Sequence, residues 1–171
     1  MKSLLSVFLC VVLCFSFVGC AQGDMPKKET ATTQSSVEKG EESFGLNESA
    51  VFNDLKFTAT EIKESNGTDF FTPKADKVFV GVKFEVENIS DEEQAVSTLL
   101  LFEGYSDDVK CEYSFSAACA FDEGTLDGSI APGKKLVGWY ALEVPKAWGK
   151  IELHVLSNWL SNSSAKFVFK K

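Results

Sequence analysis

Hydrophobic and polar positions alternate with a period of two through much of this chain. In VFVGVKFEVEN, Val78, Val80, Val82, Phe84 and Val86 fall on one face and Lys83, Glu85 and Glu87 on the other, the pattern of a half-buried strand. Leu55, Phe57 and Ala59 alternate with Lys56, Thr58 and Thr60 in the same way, and Ile151, Leu153 and Val155 with Glu152 and His154. KLVGWYALEV and KFVFK add two more strands. In STLLLFE the pattern blurs: Leu99, Leu100, Leu101 and Phe102 are apolar on both faces, which predicts a central strand covered on both sides. Turn signals separate the runs, among them SNGTD, NISDEE, YSDD, DEGTLDG and APGKK. Seven or eight short strands with this punctuation, and no helix of three turns, predict a two-layer antiparallel sandwich.

The N-terminus has a different pattern. After Met1, Lys2 and Ser3, the run Leu4 to Val18 is almost wholly apolar, then Gly19 and Cys20 lead into polar chain. One positive charge, an apolar core of ~7–15 residues and a small residue make an export signal. The run is shorter than the roughly 20 residues a bilayer-spanning helix needs. Phe17-Val18-Gly19-Cys20 resembles the bacterial lipobox, with Phe17 where Leu is usual. The resemblance implies that Cys20 receives lipid and becomes the new N-terminus after cleavage. The alternatives are an ordinary signal peptide cut near Ala21 and an uncleaved anchor. Two or more acyl chains, each contributing ~0.8 kcal/mol per buried methylene, make a stable anchor.

From Ala21 to Ser43 scarcely a large apolar residue occurs, so this stretch reads as a disordered polar linker. Its r.m.s. span would be about 25–30 Å, from ~5–6 Å times the square root of its length. The expected organisation is a signal peptide over 1–19, lipidated Cys20 and linker over 20–43, and one domain over 44–171. The net charge is -8 and every basic residue is lysine. An acidic chain without arginine is a poor fit to nucleic acid, phosphate or anionic lipid.

Three blocks carry a family resemblance: VFNDLKFTATEIKES, VFVGVKFEVENISDEEQAVS and LDGSIAPGKKLVGWYALEVPKAW. Together they resemble the DUF4352 family of bacterial exported and lipoprotein domains, and the resemblance implies an immunoglobulin-like sandwich related to secreted mycobacterial antigens of the MPT63 type. It carries over no biochemical activity. Read physically, Asn88 tolerates a left-handed backbone and caps a strand exit, Pro132-Gly133 suits the centre of a type II turn, and Pro145 ends a strand for want of a ladder donor.

Candidate chemistry is sparse. The single histidine, His154, lies on the polar face of a predicted strand, and no nucleophile elbow, HExxH, CxxC or phosphate loop accompanies it. No catalytic residue and no cofactor is assigned. Asp122, Glu123 and Asp127 are weak calcium candidates, because sandwich loops converge and calcium takes six to eight oxygens. Trp148 and Trp159 are candidate binding aromatics, since Trp is enriched where surfaces meet partners. Trp139 and Tyr140 read as core, with alternation burying at least one of the pair.

Cysteines complete the picture. Cys10 and Cys14 leave with the signal peptide and Cys20 is committed to lipid, leaving Cys111 and Cys119. An even pair in an exported domain invites a disulfide. One continuous strand from Val109 to Phe121 would hold them about 26 Å apart, so a bridge requires a turn near Ser116 to Ala118.

The sequence therefore predicts a lipoprotein held through Cys20 on the extracytoplasmic face of the cell membrane, presenting a non-catalytic module to an unknown protein or glycan, with no nucleic acid partner. The alternative is a structural or envelope-maintenance lipoprotein without a soluble ligand; a calcium-binding domain or a hydrolase ranks behind both.

Overall fold

The computed structural model describes residues 27–29, 43–52, 54–156 and 164–171. In chain order its strands are β1 (Lys27–Glu29), β2 (Ser43–Phe44), β3 (Ser49–Phe52), β4 (Leu55–Ser65), β5 (Lys77–Asn88), β6 (Gln94–Val96), β7 (Phe102–Ser106), β8 (Val109–Cys111), β9 (Gly128–Ile130), β10 (Lys135–Pro145), β11 (Lys150–Leu156) and β12 (Ser164–Lys170). Two single-turn helices interrupt them, α1 (Thr98–Leu101) and α2 (Phe115–Ala118). One sheet has the order β1-β3-β4-β5-β10 and the other β2-β12-β11-β7-β8, with β6-β9 as a separate pair. All pairings are antiparallel except β2 with β12.

The result is the expected β-sandwich. Its long strands are the periodic ones; the additional strands of two or three residues are too short to show a period. Inward-facing Val78, Val80, Val82, Phe84 and Val86 are buried, and opposite them lie Phe102, Ile151, Leu153, Val155 and Phe167. Rings cross the layer at Phe84–Phe102 (5.3 Å), Phe84–Phe167 (5.2 Å) and Phe102–Tyr140 (5.4 Å). Edge-to-face and offset pairs of this kind add about 0.5–1.5 kcal/mol each beyond area burial.

Turns behave as their residues dictate. Lys134 N donates to Ala131 O across Pro132-Gly133, with Gly133 at φ 67, the left-handed position such a turn gives to glycine. Asn88 is wholly buried at the end of β5, where its Nδ2 donates to Glu92 O and Ile130 O (both 2.7 Å) and its Oδ1 accepts from Ser90 N. It caps the strand with its side chain, not with a left-handed backbone.

Two expectations change. STLLLFE is not a central strand: α1 occupies Thr98–Leu101, β7 starts at Phe102, and Leu99 and Leu100 face solvent. Within the polar stretch read as a disordered linker, the backbone of β1 pairs with Ser49–Val51 as an edge strand, and β2 begins at Ser43.

The chain between β8 and β9 forms an arm that leaves one sheet and covers the outside of the other. Tyr113 bridges to Leu142, Ser114 N donates to Ala141 O (3.0 Å), and the Ser114 hydroxyl caps α2 by accepting from Ala117 N. Ala117 and Ala118 then pack on Phe79 and Ala141. Further along, Phe121 stacks on Trp139 at 4.8 Å, and Glu123 accepts from Trp139 Nε1 (2.9 Å) while pairing with Lys83 (2.7 Å). Trp139 and Tyr140 are both buried for this reason: one faces the core and the other faces the arm. Gly81 makes room, since a Cβ there would lie 2.8 Å from the Phe121 ring.

Candidate functional site

Where the arm leaves β8, the sandwich stays open. β8 and β10 are the terminal strands of the two sheets. The arm that follows β8 is joined to β10 at Tyr113–Leu142, with Ser114 N donating to Ala141 O beside that bridge. A cleft of about 680 Å3 lies there, lined by β8, the Tyr113–Ser116 stretch of the arm, the Glu143–Pro145 end of β10, Lys74 and Lys77. A smaller hollow of about 320 Å3 lies on the other flank of Lys110–Tyr113, beside Leu99, Leu100 and Tyr140. The larger volume falls within the ~300–1,000 Å3 typical of ligand sites.

The cleft joins exposed apolar surface to fixed charge. Val109 is 68% exposed and Phe115 66%. Phe115 meets Phe71 edge-on at 6.4 Å, from the β4–β5 loop that also bears Phe70. Most charges here are paired. Lys74 contacts Glu143 (3.5 Å), whose other oxygen accepts from Lys74 N (2.6 Å); Lys110 pairs with Glu103 (2.9 Å); Asp107 accepts from the backbone N–H of Gly149 and Lys150. Among the described residues Lys77 has no ion-pair partner.

At the floor, Ser106 is 4% exposed, and its Oγ is the one buried side-chain polar atom among the described residues with no hydrogen-bond partner. Leaving such a group unpaired costs about 1–3 kcal/mol, so its position at a cleft floor is informative. Burial pushes the neighbouring Cys111 thiol above its ordinary pKa, partly offset by a Ser106 backbone hydrogen bond and the Lys77 ammonium.

The residues singled out from the sequence are mostly elsewhere. Trp148 is not a surface aromatic: it is 5% exposed within the core, its Nε1 donates to Glu64 (2.7 Å), and Lys171 Nζ lies 5.1 Å from its ring centroid. Trp159 and Cys20 lie outside the described residues. Cys111 and Cys119 are free thiols. The turn their bridge required is present as α2, but Cys111 stays on β8 with its Sγ toward Val109 O, while Cys119 is exposed at the far end of α2.

The acidic trio does not converge. Glu123 is held by Lys83 and Trp139, whereas Asp127 accepts from Thr98 N (2.9 Å) and Thr98 Oγ1 (2.8 Å). No group of three or more His, Cys, Asp or Glu side chains that could hold a metal ion occurs among the described residues. His154 lies on the outer face of its sheet, 2.7 Å from Glu152 and tilted against Tyr105.

The family described as a domain of unknown function (DUF4352) matches residues 44–165. The chain belongs to that family. As a DUF4352 domain it shares its fold with solved structures of low identity. One is ycdA of Bacillus subtilis, a candidate lipoprotein, at TM-score 0.55 and 15% identity over 77% of this chain and 39% of that one. The yjhA protein of Bacillus subtilis gives 0.55 and 17% over 74% and 97%. The secreted protein MPT63 of Mycobacterium tuberculosis gives 0.53 and 10% over 78% and 100%. The chain thus spans well under half of ycdA and nearly all of the other two. No curated protein matches the sequence. Within the DUF4352 frame, the β8–β10 cleft is the feature that joins a cavity to an unsatisfied polar group, and no local motif announces it.

Proposed function

We propose that this DUF4352 protein is an extracytoplasmic lipoprotein, held to the cell membrane through Cys20, whose domain captures a protein or glycan ligand in the β8–β10 cleft without chemical turnover. The observation that carries the reading is the cleft's position. The described chain enters at β1, the terminal strand opposite β10 in its sheet and level with Lys135 at the start of β10, and joins the second sheet at β2, opposite β8, where Ser43 sits beside Lys166 near the start of β12. The cleft borders the Ser106 end of β7 and Val109 of β8, level with the end of β12 through Ile151 and Phe169. Entry point and cleft are therefore at opposite corners, so a domain tethered at one corner turns the other outward.

A lipobox-like Cys20 and fold relatives described as a candidate lipoprotein and a secreted protein support the location. The non-catalytic reading rests on the cleft acids Glu143 and Asp107, which are each held by protein donors, and on His154, which lies on another face. The test has two arms. Cys20→Ser should move the protein from the membrane to the soluble fraction. Full-length protein should capture a specific envelope component that Lys77→Glu fails to capture. A Cys20→Ser variant that stays with membranes overturns the anchor, and equal capture by Lys77→Glu overturns the cleft.

A further inference from the structure

Resting on the reading of this cleft as the binding site, the geometry points to an extended polypeptide segment as its occupant, laid between β8 and the Glu143–Pro145 end of β10, with an acidic group at Lys77 and a basic group at Glu112. The first ground is the backbone. Both walls are terminal strands, and among the described residues no strand pairs with either one along the cleft. Terminal strands present unpaired main-chain donors and acceptors, which extended segments satisfy by adding to the sheet. The protein already uses β10 in this way: its own Tyr113 bridges to Leu142, and Ser114 N donates to Ala141 O. Glu143–Pro145 continues the same edge past that bridge.

Charge supplies the second ground. Lys74 and Lys110 are neutralised by Glu143 and Glu103, which leaves Lys77 at the Pro145 end and exposed Glu112 beside the Tyr113 bridge. A bipolar cleft is matched by a segment with opposite charges a few residues apart; a neutral glycan meets neither. Exposed Val109 and Phe115 offer contacts to apolar side chains between those charges, and Ser106 Oγ at the floor has a donor to give.

The probe is a displayed library of random linear dodecapeptides, selected on the full chain. Enriched peptides should carry an acidic and a basic residue flanking apolar ones, and should slow amide exchange at Val109–Cys111. Their affinity should fall at least tenfold in Lys77→Glu, a substitution at a half-buried strand end, and recover when the peptide's acid is replaced by lysine. Val109→Glu should weaken them independently. Failure to enrich any peptide, or equal binding by Lys77→Glu, overturns the inference. If no peptide enriches while an envelope glycan binds wild type and not Lys77→Glu, the peptide class falls and the binding cleft stands.

Discussion

Asp127 fastens Thr98 with both carboxylate oxygens, one accepting its backbone N–H at 2.9 Å and the other its hydroxyl at 2.8 Å. The Thr98 hydroxyl in turn accepts from Leu126 N at 3.1 Å. This clamp turns Thr98–Leu101 into a helical turn and sets where β7 begins. Burial alone would raise the Asp127 pKa, but hydrogen bonds from Thr125, Thr98 and Ser97 outweigh it and hold the carboxyl below its ordinary value. Asp127→Ala should cost about 1.5–3 kcal/mol, the range for hydrogen bonds to a charged group.

Acid should weaken that clamp. Because folding lowers the Asp127 pKa, its contribution is complete above the unfolded carboxylate value of about 3.9 and fades as pH falls from there through the lower folded value. Urea midpoints of wild type and Asp127→Asn should therefore differ more at pH 7 than at pH 2.5. A gap that stays constant between the two would contradict the assignment.

Trp148 anchors the β10–β11 turn to the end of β4, 84 residues away, through Glu64. Trp148→Ala removes a buried indole and should cost about 3–5 kcal/mol. Glu64→Gln keeps an acceptor for Nε1 and should cost much less. Guanidinium unfolding curves for the two variants measure the difference.

Gly81→Ala should loosen the arm. The new Cβ would fall 2.8 Å from the Phe121 ring and 2.9 Å from Trp139, an overpacking that costs about 1–3 kcal/mol. Adding Phe121→Ala should recover part of the loss, and a double-mutant cycle reads the coupling directly.

The two domain thiols should react at different rates. Cys119 is exposed, whereas Cys111 is partly buried with a raised pKa, so a disulfide reagent should label Cys119 first. Labelling of Cys111 should quicken as pH rises toward its raised pKa, since the thiolate is the reactive form. Mass before and after reduction should not change by the two hydrogens of a bridge.

Legibility followed locality. The strands β4, β5 and β11 alternate apolar and polar because one face meets the core, and that pattern lies within each strand's own residues. Leu99–Phe102 carried no period, so a partner 29 residues on, Asp127, decided between strand and helix. The arm is illegible for a related reason: Phe79 lies on the face of β5 that carries Lys83, Glu85 and Glu87, and only tertiary cover buries it. A hint was present in WYAL, apolar on both faces. Trp148 and Trp159 were chosen by residue type alone, and Trp148 is core. The cleft arises from two strand ends that are far apart in sequence, so no window of residues contains it.

Pro145 closes β10 without a donor N–H, and Ser114 and Gly124 already occupy the edge above it. The opposite wall is only three residues long and has Lys110 at its centre. An edge shortened, charged and proline-terminated in this way can take in one guest strand but cannot template a second. The same features that leave this corner open guard the protein against edge-to-edge stacking of its own copies.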